Sequence, residues 1–512
     1  MSDIPPNIDP PTPDEIRQKA ADHYIDLSEA EVEDFAVAIE GALEGYERID
    51  QLTTSAPDTE YTDRGAGYKP GPEEDPLNAF VTKCSVEGAD AGPLSGYEIG
   101  LKDSISIAGV EMTVGSKLFE GYVPSRDATV VTRLLDAGAS ITAKLNMEDM
   151  AFSGSGELSA TGPVLNPINP DYIAGGSSSG SIAAVVDGDV DVALGTDQGG
   201  SIRIPAAWSG GVGHKPTHSL VPYTGIVGLG HSYDHVGPLA TTVEDCAKCL
   251  DVLAGKDPDD PRQGHVPTGR YEASLSDDPG ELTIGLLEEG FGHEESEPGV
   301  DEAVRAAIGE LEAAGAAVTE VSVPMHLDGL ALWNAIATEE TAGLVDDEGV
   351  GQYGKGYYDT QFADAFAEAR RSRADDYLTT VKLTVILGQY MADEYHAHYY
   401  TKAKNLGREL STAYDEALED VDVLAMPTTP QTAHERRDDL ERLEIIDRAL
   451  NMLPNTAPFD VTGHPAISVP AGTSDGLPVG LMFVGGQFDD ETVLRTAYTY
   501  EQSVGWDVRS GS

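Results

Sequence analysis

The 512-residue sequence contains few cysteines, and this scarcity excludes a disulfide framework. The three cysteines are Cys84, Cys246 and Cys249. Cys246 and Cys249 have C-x-x-C spacing, but the pattern over 242–253 is typical of one amphipathic helix that begins at Thr242. No second Cys/His pair is placed to complete a zinc site. The spacing therefore favours packing of both cysteines in the core over redox or metal chemistry.

Long apolar runs are also missing. A membrane-spanning helix needs about 18 or more consecutive apolar residues, and the sequence has no such stretch. The first 13 residues are polar and proline-rich, without the apolar segment of a signal peptide. We therefore expect a soluble cytoplasmic protein.

Basic residues are scarce relative to acidic ones. The chain has 32 Lys and Arg against 89 Asp and Glu, which gives a formal net charge of −57. Nucleic acids and anionic membranes bind basic surfaces, so the sequence argues against both partners. At molar salt the Debye length is only about 3 Å, and the self-repulsion of such a surface would be screened. We hypothesise a protein from a salt-accumulating cytoplasm; the alternative is an ordinary acidic protein.

The length predicts two or three domains. We expect an N-terminal helical region over 1–75, with helices that begin after Thr12 and Ser28 and a linker over 53–78. We expect a catalytic core over 76–290 and 446–512, and a smaller, mostly helical inserted domain over 291–445.

From about residue 80, predicted strands alternate with predicted helices, which is typical of an α/β domain with a substantially parallel sheet. The predicted extended segments are 97–101, 110–115, 140–145, 282–287, 317–323, 421–427, 466–472 and 479–485. The predicted helices include 127–135, 299–315, 489–503 and one continuous amphipathic pattern near 375–418. The last two strands are expected to pair across a Gly/Asp turn.

Two Ser/Gly-rich turns, 175–181 and 195–205, carry the chemistry that the sequence predicts. A hydroxyl at the end of such a turn can attack a carbonyl while the amides of the turn bind the oxyanion. The alternative interpretation is a pair of flexible loops.

A serine nucleophile needs a base that takes its proton. His214, His231 and His235 are the nearest downstream histidines. Lys102 follows a predicted strand and can serve if burial lowers its pKa from about 10.4 toward 7–8. Alternatively, Lys102 forms a structural salt bridge with Asp103.

Three segments together resemble the amidase signature family: Lys102-Asp103, 175–178 and 195–205. Their order and the 24 positions from Ser177 to Ser201 match that family, and the resemblance continues through 213–217, 221–225, 234–238 and 455–460. Within the family the chain is most similar to bacterial enantioselective amidases often found beside nitrile hydratases. The segment 197–200 and the N-terminal helical extension support that placement.

The resemblance implies the amidase-signature fold, a mixed β-sheet core sandwiched by helices, and a Ser-Ser-Lys triad. Ser201 would be the nucleophile that forms an acyl-enzyme, Ser177 would relay protons from a cis peptide, and neutral Lys102 would be the base. Further roles are implied for the following residues: Gln198, Gly199, Gly200 and Ser201 as the oxyanion hole, Asp197 and Arg203 as supports of the turn, and Phe152, Ser153 and Gly154 as substrate-binding residues.

The resemblance also implies a small-molecule amide as substrate, no metal or organic cofactor, and a homodimer formed through the N-terminal helices. The sequence departs from the family pattern at Ser179, where Gly is more frequent, and at Ser104, where Asn is usual; neither change removes a triad atom.

Two other functions are weighed against the amidase. The first is the ammonia-supplying subunit of a tRNA-dependent amidotransferase, which usually carries Thr at the position of Gln198 and lacks the N-terminal helices. The second is a non-enzymatic, phosphate-binding glycine-loop protein, which would leave Lys102 without a role.

Overall fold

The computed structural model describes residues 8–54 and 59–506, and the chain divides into two compact units, Met1–Asp58 and Thr59–Ser512. The first unit contains helices α1 (Pro13–Asp22) and α2 (Glu29–Asp50). The predicted helix starts after Thr12 and Ser28 are confirmed, and a capping box is present at each. On α2, Val32 is buried whereas Phe35 is 44% exposed.

The second unit contains, among its described residues, one sheet of eleven strands. These are β1 Phe80–Glu87, β2 Glu98–Lys102, β3 Ser140–Leu145, β4 Val192–Asp197, β5 Val212–Lys215, β6 His235–Ala240, β7 Thr283–Leu287, β8 Ala317–Val321, β9 Val423–Pro427, β10 Ala466–Ser474 and β11 Leu477–Val484. Their spatial order is β1-β3-β2-β4-β6-β5-β10-β11-β9-β7-β8.

The helices of this unit are α3 Thr129–Asp136, α4 Ser179–Asp187, α5 Arg203–Ser209, α6 Val243–Leu253, α7 Pro298–Ala314, α8 Gly329–Asp347, α9 Thr360–Arg373, α10 Thr379–Tyr395, α11 His398–Ala417, α12 Arg442–Leu450, α13 Pro458–Thr462 and α14 Asp490–Val504. Within the described ranges, none of the helices combines the length and apolar character that a bilayer crossing demands.

The sheet is mixed. Strand β2 pairs in parallel with β3 and β4, and β7 pairs in parallel with β8 and β9, whereas the other neighbours are antiparallel. The expectation of a substantially parallel sheet is therefore met only around β2 and β7. The paired strands predicted at the C-terminal end are confirmed as the antiparallel hairpin β10–β11.

Helices cover both faces of the sheet, because alternate side chains of its strands enter different cores. On β11, Leu481 and Phe483 pack in one core with α6, α7 and α14, while Met482 and Val484 pack in the other with α8 and α11. The predicted mixed sheet sandwiched by helices is confirmed. Cys246 and Cys249 are buried on α6, as expected.

Three details differ from the sequence-based expectations. Residues 110–115 contain no strand. The pattern near 375–418 is two helices, α10 and α11, because the backbone turns at His396, which has a positive φ of 57°. The segment 291–445 contributes β8 and β9 to the sheet besides its helices; the domain boundaries at 75, 290 and 445 stay a prediction, while the structure separates its two units after Asp58.

Candidate active site

Two parallel neighbouring strands place the lysine beside the serine turns. β2 ends at Lys102 and β4 ends at Asp197, and parallel strands present their carboxyl ends at the same edge of a sheet. Ser177 lies just before α4, and Ser201 lies between β4 and α5. The sheet topology thus brings together three residues that are up to 99 positions apart in the sequence.

Lys102 is fully buried. Its Nζ donates to Ser177 Oγ at 2.8 Å, to Thr196 Oγ1 at 2.8 Å and to the carbonyl of Thr196 at 3.3 Å. Burial lowers the pKa of Lys102 to about 7, against the opposing influence of the Asp197, Glu148 and Asp234 carboxylates. A large fraction of this side chain is therefore neutral, and able to accept a proton, near neutral pH.

The alternative of a Lys102–Asp103 salt bridge is wrong. Asp103 turns to the neighbouring strand, where its Oδ1 lies 3.3 Å from Lys144 Nζ. Its Oδ2 accepts from the backbone and hydroxyl of Thr113. The charge of Asp103 is thereby matched by another cation, and Lys102 is left to bond neutral hydroxyls.

The two serine turns are joined through their backbones. The N–H of Ser178 donates to the carbonyl of Ser201 at 3.3 Å, and the Ser178 hydroxyl bonds the backbone of Thr196. The Gly176–Ser177 peptide is cis. Ser201 is 6% exposed, and among the described residues no hydrogen bond joins its hydroxyl to that of Ser177. The structure therefore shows a direct Lys102–Ser177 contact and places Ser201 in the adjoining turn.

Asp197 and Arg203 hold the turn that contains Ser201. Asp197 accepts from the amides of Gly200 (2.6 Å) and Ile202 (3.0 Å) and from two guanidinium nitrogens of Arg203. Burial alone would raise the pKa of Asp197, but the charge and hydrogen bonds of Arg203 lower it to about 2. Arg203 also bonds Asp460 at 2.7 Å. This fully buried ion pair gives the turn one defined shape.

Only some amides of the turn are free to bind a substrate oxygen. The Gly200 N–H donates to Asp197 Oδ1 at 2.6 Å, so this amide already has an acceptor within the protein; the contribution of Gly200 to an oxyanion hole stays a prediction. Among the described residues, none accepts from the N–H groups of Gln198, Gly199 and Ser201. The candidate anion-binding amides are therefore these three.

The histidines considered as alternative bases serve other contacts. His214 Nε2 lies 3.2 Å from Asp490, His235 Nδ1 lies 2.9 Å from the carbonyl of Tyr233, and the ring of His231 packs edge-on against Tyr353. Burial lowers the pKa of His235 well below its usual range. Among the described residues, no histidine is hydrogen-bonded to the Ser201 hydroxyl.

The predicted substrate-facing residues lie beside both turns. The carbonyl of Gly154 accepts from Gly176 N–H at 2.8 Å, and the Ser153 hydroxyl donates to Glu148 at 3.2 Å. The Phe152 ring lies 6.4 Å from that of Trp333, whose indole N–H donates to the carbonyl of Gln198. This turn therefore borders the two serine turns.

A cavity of 350 Å³ adjoins this region and is lined mainly by aromatic and apolar side chains. Its wall includes Tyr223, whose hydroxyl accepts from the Gln198 side chain at 2.9 Å, together with Tyr353, Phe362 and Phe366. Among the described residues, no group of three or more His, Cys, Asp or Glu side chains is arranged to hold a metal ion.

Four residues that bond the site are not among the site residues predicted from the sequence: Glu148, Thr196, Trp333 and Thr456. Thr196 precedes Asp197 in the second turn, so its position could have suggested a contact with a neighbouring strand. Glu148 and Trp333 lie outside the motifs, and no local pattern marks them. Thr456 lies inside the segment 455–460 that resembles the family, but that segment alone does not indicate a contact with the serine turn. Thr456 donates to the carbonyl of Gly199 at 2.6 Å from a segment more than 250 residues away.

Comparison with known proteins identifies the family. A family model for amidases matches residues 78–494. The chain belongs to the amidase family. Its members hydrolyse amides, and the Ser/Gly-rich turns and Lys102 all lie inside the matched range.

Similar proteins include an enantioselective amidase and glutamyl-tRNA(Gln) amidotransferase subunits. An enantioselective amidase of Rhodococcus rhodochrous is 42% identical over 506 residues, which cover 98% of this amidase and 97% of the relative. A glutamyl-tRNA(Gln) amidotransferase subunit of Haloarcula marismortui is 42% identical over 431 residues, covering 82% and 98%. The crystal structure of the corresponding Thermotoga maritima protein superposes with a TM-score of 0.70 at 31% identity, over 84% of this chain and 88% of that one.

Proposed function

We propose that this amidase hydrolyses a carboxylic amide to the acid and ammonia through Ser201, Ser177 and Lys102. The observation that carries the proposal is the buried Lys102 with its lowered pKa, whose Nζ lies 2.8 Å from the Ser177 hydroxyl in the same site as Ser201. A salt-bridged lysine could not accept a proton at neutral pH, whereas this one has only hydroxyl and carbonyl partners.

In the first half-reaction, Ser201 Oγ forms a bond to the amide carbon while its proton passes to Ser177 Oγ. The proton of Ser177 passes to neutral Lys102, which becomes an ammonium group. A hydroxyl both donates and accepts, so Ser177 can carry out both transfers. The carbonyl π electrons move to oxygen, and the amides of Gln198, Gly199 and Ser201 stabilise this oxyanion.

Collapse of the tetrahedral intermediate breaks the C–N bond. Lys102 returns its proton through Ser177 to the leaving nitrogen, so ammonia departs and an acyl-enzyme remains on Ser201. Water then attacks the acyl carbon along the same proton path and releases the carboxylic acid. Asp197 and Arg203 keep the turn fixed throughout, because both are fully buried and already paired.

The test is ammonia release from a panel of aliphatic and aromatic amides that includes propionamide and benzamide. We expect turnover by the wild type and its loss in Ser201→Ala and Lys102→Ala. Ser209→Ala is the matched control, because Ser209 is a buried serine on α5 whose hydroxyl, among the residues that the structure describes, bonds only the carbonyl of Ala174. Turnover that survives Ser201→Ala would refute the nucleophile.

The alternative is the ammonia-supplying subunit of a tRNA-dependent amidotransferase. The relatives named as glutamyl-tRNA(Gln) amidotransferase subunits favour it, but they match a smaller share of this chain than the enantioselective amidase does. Co-purification with two partner subunits, and glutamine as the preferred amide, would support the alternative. Turnover of simple amides by the isolated chain supports the amidase.

We further propose that the native protein is a homodimer in which the N-terminal helices α1 and α2 contribute the contact. Several apolar side chains of this helical unit are exposed, including Phe35, Val37 and Ile49. Gel filtration with light scattering tests the proposal, and a monomer at all concentrations contradicts it.

A further inference from the structure

We infer that Trp333 is a positioning residue for catalysis: its indole N–H fixes the peptide whose amide binds the substrate oxyanion. The inference rests on the proposed function of Ser201 as nucleophile. Trp333 lies on α8, more than 130 positions from the turn that it contacts, and no sequence motif includes it.

The contact is direct and buried. Trp333 Nε1 donates to the carbonyl oxygen of Gln198 at 2.5 Å, and Trp333 is only 6% exposed. A hydrogen bond in such a dry environment is stronger than one in water, so the Gln198 carbonyl is held firmly in one direction.

Because a peptide unit is planar, this contact also fixes the direction of an amide N–H. In a planar trans peptide the C=O of one residue and the N–H of the next point in opposite directions. The carbonyl that Trp333 holds belongs to the peptide whose N–H is that of Gly199. Among the described residues, this N–H has no acceptor. Fixing the carbonyl therefore aims a free N–H away from the indole.

The neighbouring peptides follow the same arrangement. The Gly199 carbonyl accepts from Thr456 Oγ1, and the N–H of that peptide, from Gly200, donates to Asp197. The Gly200 carbonyl accepts from Ile204 N–H at 2.7 Å, and within the described part of the chain the Ser201 N–H has no acceptor. Each peptide of the turn is thus held through its carbonyl, and Trp333 supplies this contact for the Gln198–Gly199 peptide.

Gly199 is shaped for the indole. A Cβ atom at this position would lie 2.8 Å from Trp333 Cζ2 and 3.0 Å from Cε2, closer than carbon atoms pack. The absence of a side chain therefore lets the part of the indole around Nε1 reach the backbone of the turn. The two residues act together, and a change at either one displaces the Gly199 amide.

The experiment compares Trp333→Phe with wild type on the best amide of the panel. Removing an oxyanion donor outright lowers kcat about 100-fold or more, and misdirecting one should cost on the order of 10-fold. We expect kcat to fall by that amount with KM changed less than about twofold, since the ground-state carbonyl depends less on this amide.

A second readout separates positioning from general damage. An aldehyde analogue of the substrate adds reversibly to Ser201 Oγ and forms a hemiacetal oxygen at the oxyanion position. We expect its inhibition constant to rise in proportion to the loss of kcat, while that of the carboxylic acid product stays near the wild-type value. The lower limb of the pH profile should stay in place, because Lys102 is untouched.

Tyr233→Phe is the matched control. Tyr233 is also a buried aromatic residue that bonds α8, through its hydroxyl to Thr341 at 2.9 Å, but it does not touch the Gln198 carbonyl. We expect this variant to retain kcat within about twofold, although each of the two variants removes one hydrogen-bond donor that lies on α8 or bonds to it.

The outcomes are distinguishable. If wild type turns over amides and Ser201→Ala does not, but Trp333→Phe retains kcat and aldehyde affinity, the role of Trp333 is refuted and the amidase mechanism stands. If Tyr233→Phe loses as much activity as Trp333→Phe, the effect belongs to the anchoring of α8 and the inference also fails. Activity in Ser201→Ala would instead overturn the proposed function.

Discussion

Lys102→Met should abolish turnover and yet stabilise the protein at neutral pH. The lysine is fully buried without a carboxylate in hydrogen-bonding contact, and its pKa falls from 10.5 to about 7. Because the unfolded chain keeps the ordinary lysine pKa, folding at pH 7 must expel a bound proton or bury a charge. Methionine fills a similar volume and carries no such cost.

The magnitude follows from the pKa. A shift of about 3.5 units corresponds to about 5 kcal/mol of destabilisation at pH 7. The substitution also removes the hydrogen bonds to the Ser177 and Thr196 hydroxyls, together worth about 2 kcal/mol. The net expectation is a variant that is about 3 kcal/mol more stable than wild type at pH 7.

The sign of the pH dependence is fixed by linkage. The folded-state pKa lies below the unfolded one, so the unfolded state binds more protons between about pH 7 and pH 10.5, and wild-type stability gains from this group as the pH rises. At pH 9.5 only about 1 kcal/mol of the cost remains, so the advantage of the variant should vanish or reverse to about −1 kcal/mol.

The assay is chemical unfolding of both proteins at pH 7 and at pH 9.5 in the same KCl concentration. The difference between variant and wild type isolates Lys102 from the other groups that titrate in this range. Lys117→Met serves as the control, because Lys117 is exposed, and its effect should stay within about 0.5 kcal/mol at both pH values. A Lys102→Met protein that is less stable at pH 7, or whose difference from wild type is the same at both pH values, would refute the reasoning.

The remaining predictions concern catalysis, the nucleophile turn and the surface. The kcat/KM of wild type should fall about tenfold per pH unit below about pH 7, as Lys102 becomes protonated; a pH-independent rate down to pH 5 contradicts a lysine base. Gly200→Ala should lose activity and at least about 2 kcal/mol of stability, because Gly200 has a φ of 138° and a Cβ there would collide with Thr456. Urea unfolding measures the loss of stability, and a variant with wild-type stability and rate would contradict this prediction. The net charge of −57 predicts a melting temperature that rises steeply with KCl up to molar concentrations, and a flat response would remove the halophilic interpretation.

The sequence predicts the position of the lysine and both serine turns because these features are local. Lys102 ends a strand with an alternating pattern, and the glycines around Ser177 and Ser201 are readable without knowledge of the fold. The starts of α1 and α2 are equally local, since a capping residue and its acidic partner are three positions apart.

The sequence does not identify the contact partners that come from distant segments of the chain. Asp103 is adjacent to Lys102 in the chain, but it lies in the turn that follows β2, and its partner is Lys144 on the next strand. The sequence does not distinguish the amide of Gly200 from those of Gly199 and Ser201. Only the folded turn shows that the Gly200 amide donates to Asp197. The corner at His396 lies inside an uninterrupted helical pattern, so only the folded backbone reveals it.

The arrangement of charges explains how Lys102 differs from the buried Lys144, which is paired with a carboxylate. Asp103 is matched by Lys144, and Asp197 is matched by Arg203, so neither carboxylate is left to draw a proton onto Lys102 by direct pairing. The residual field of Asp197 still raises the pKa of Lys102, as does that of Glu148, and burial outweighs them. If Arg203 lost its charge, Asp197 would be an unpaired anion close to Lys102, and the lysine would hold its proton to higher pH. In the proposed mechanism Arg203 therefore serves the base as well as the shape of the turn: the same ion pair that fixes the turn of Ser201 leaves Lys102 free to accept a proton.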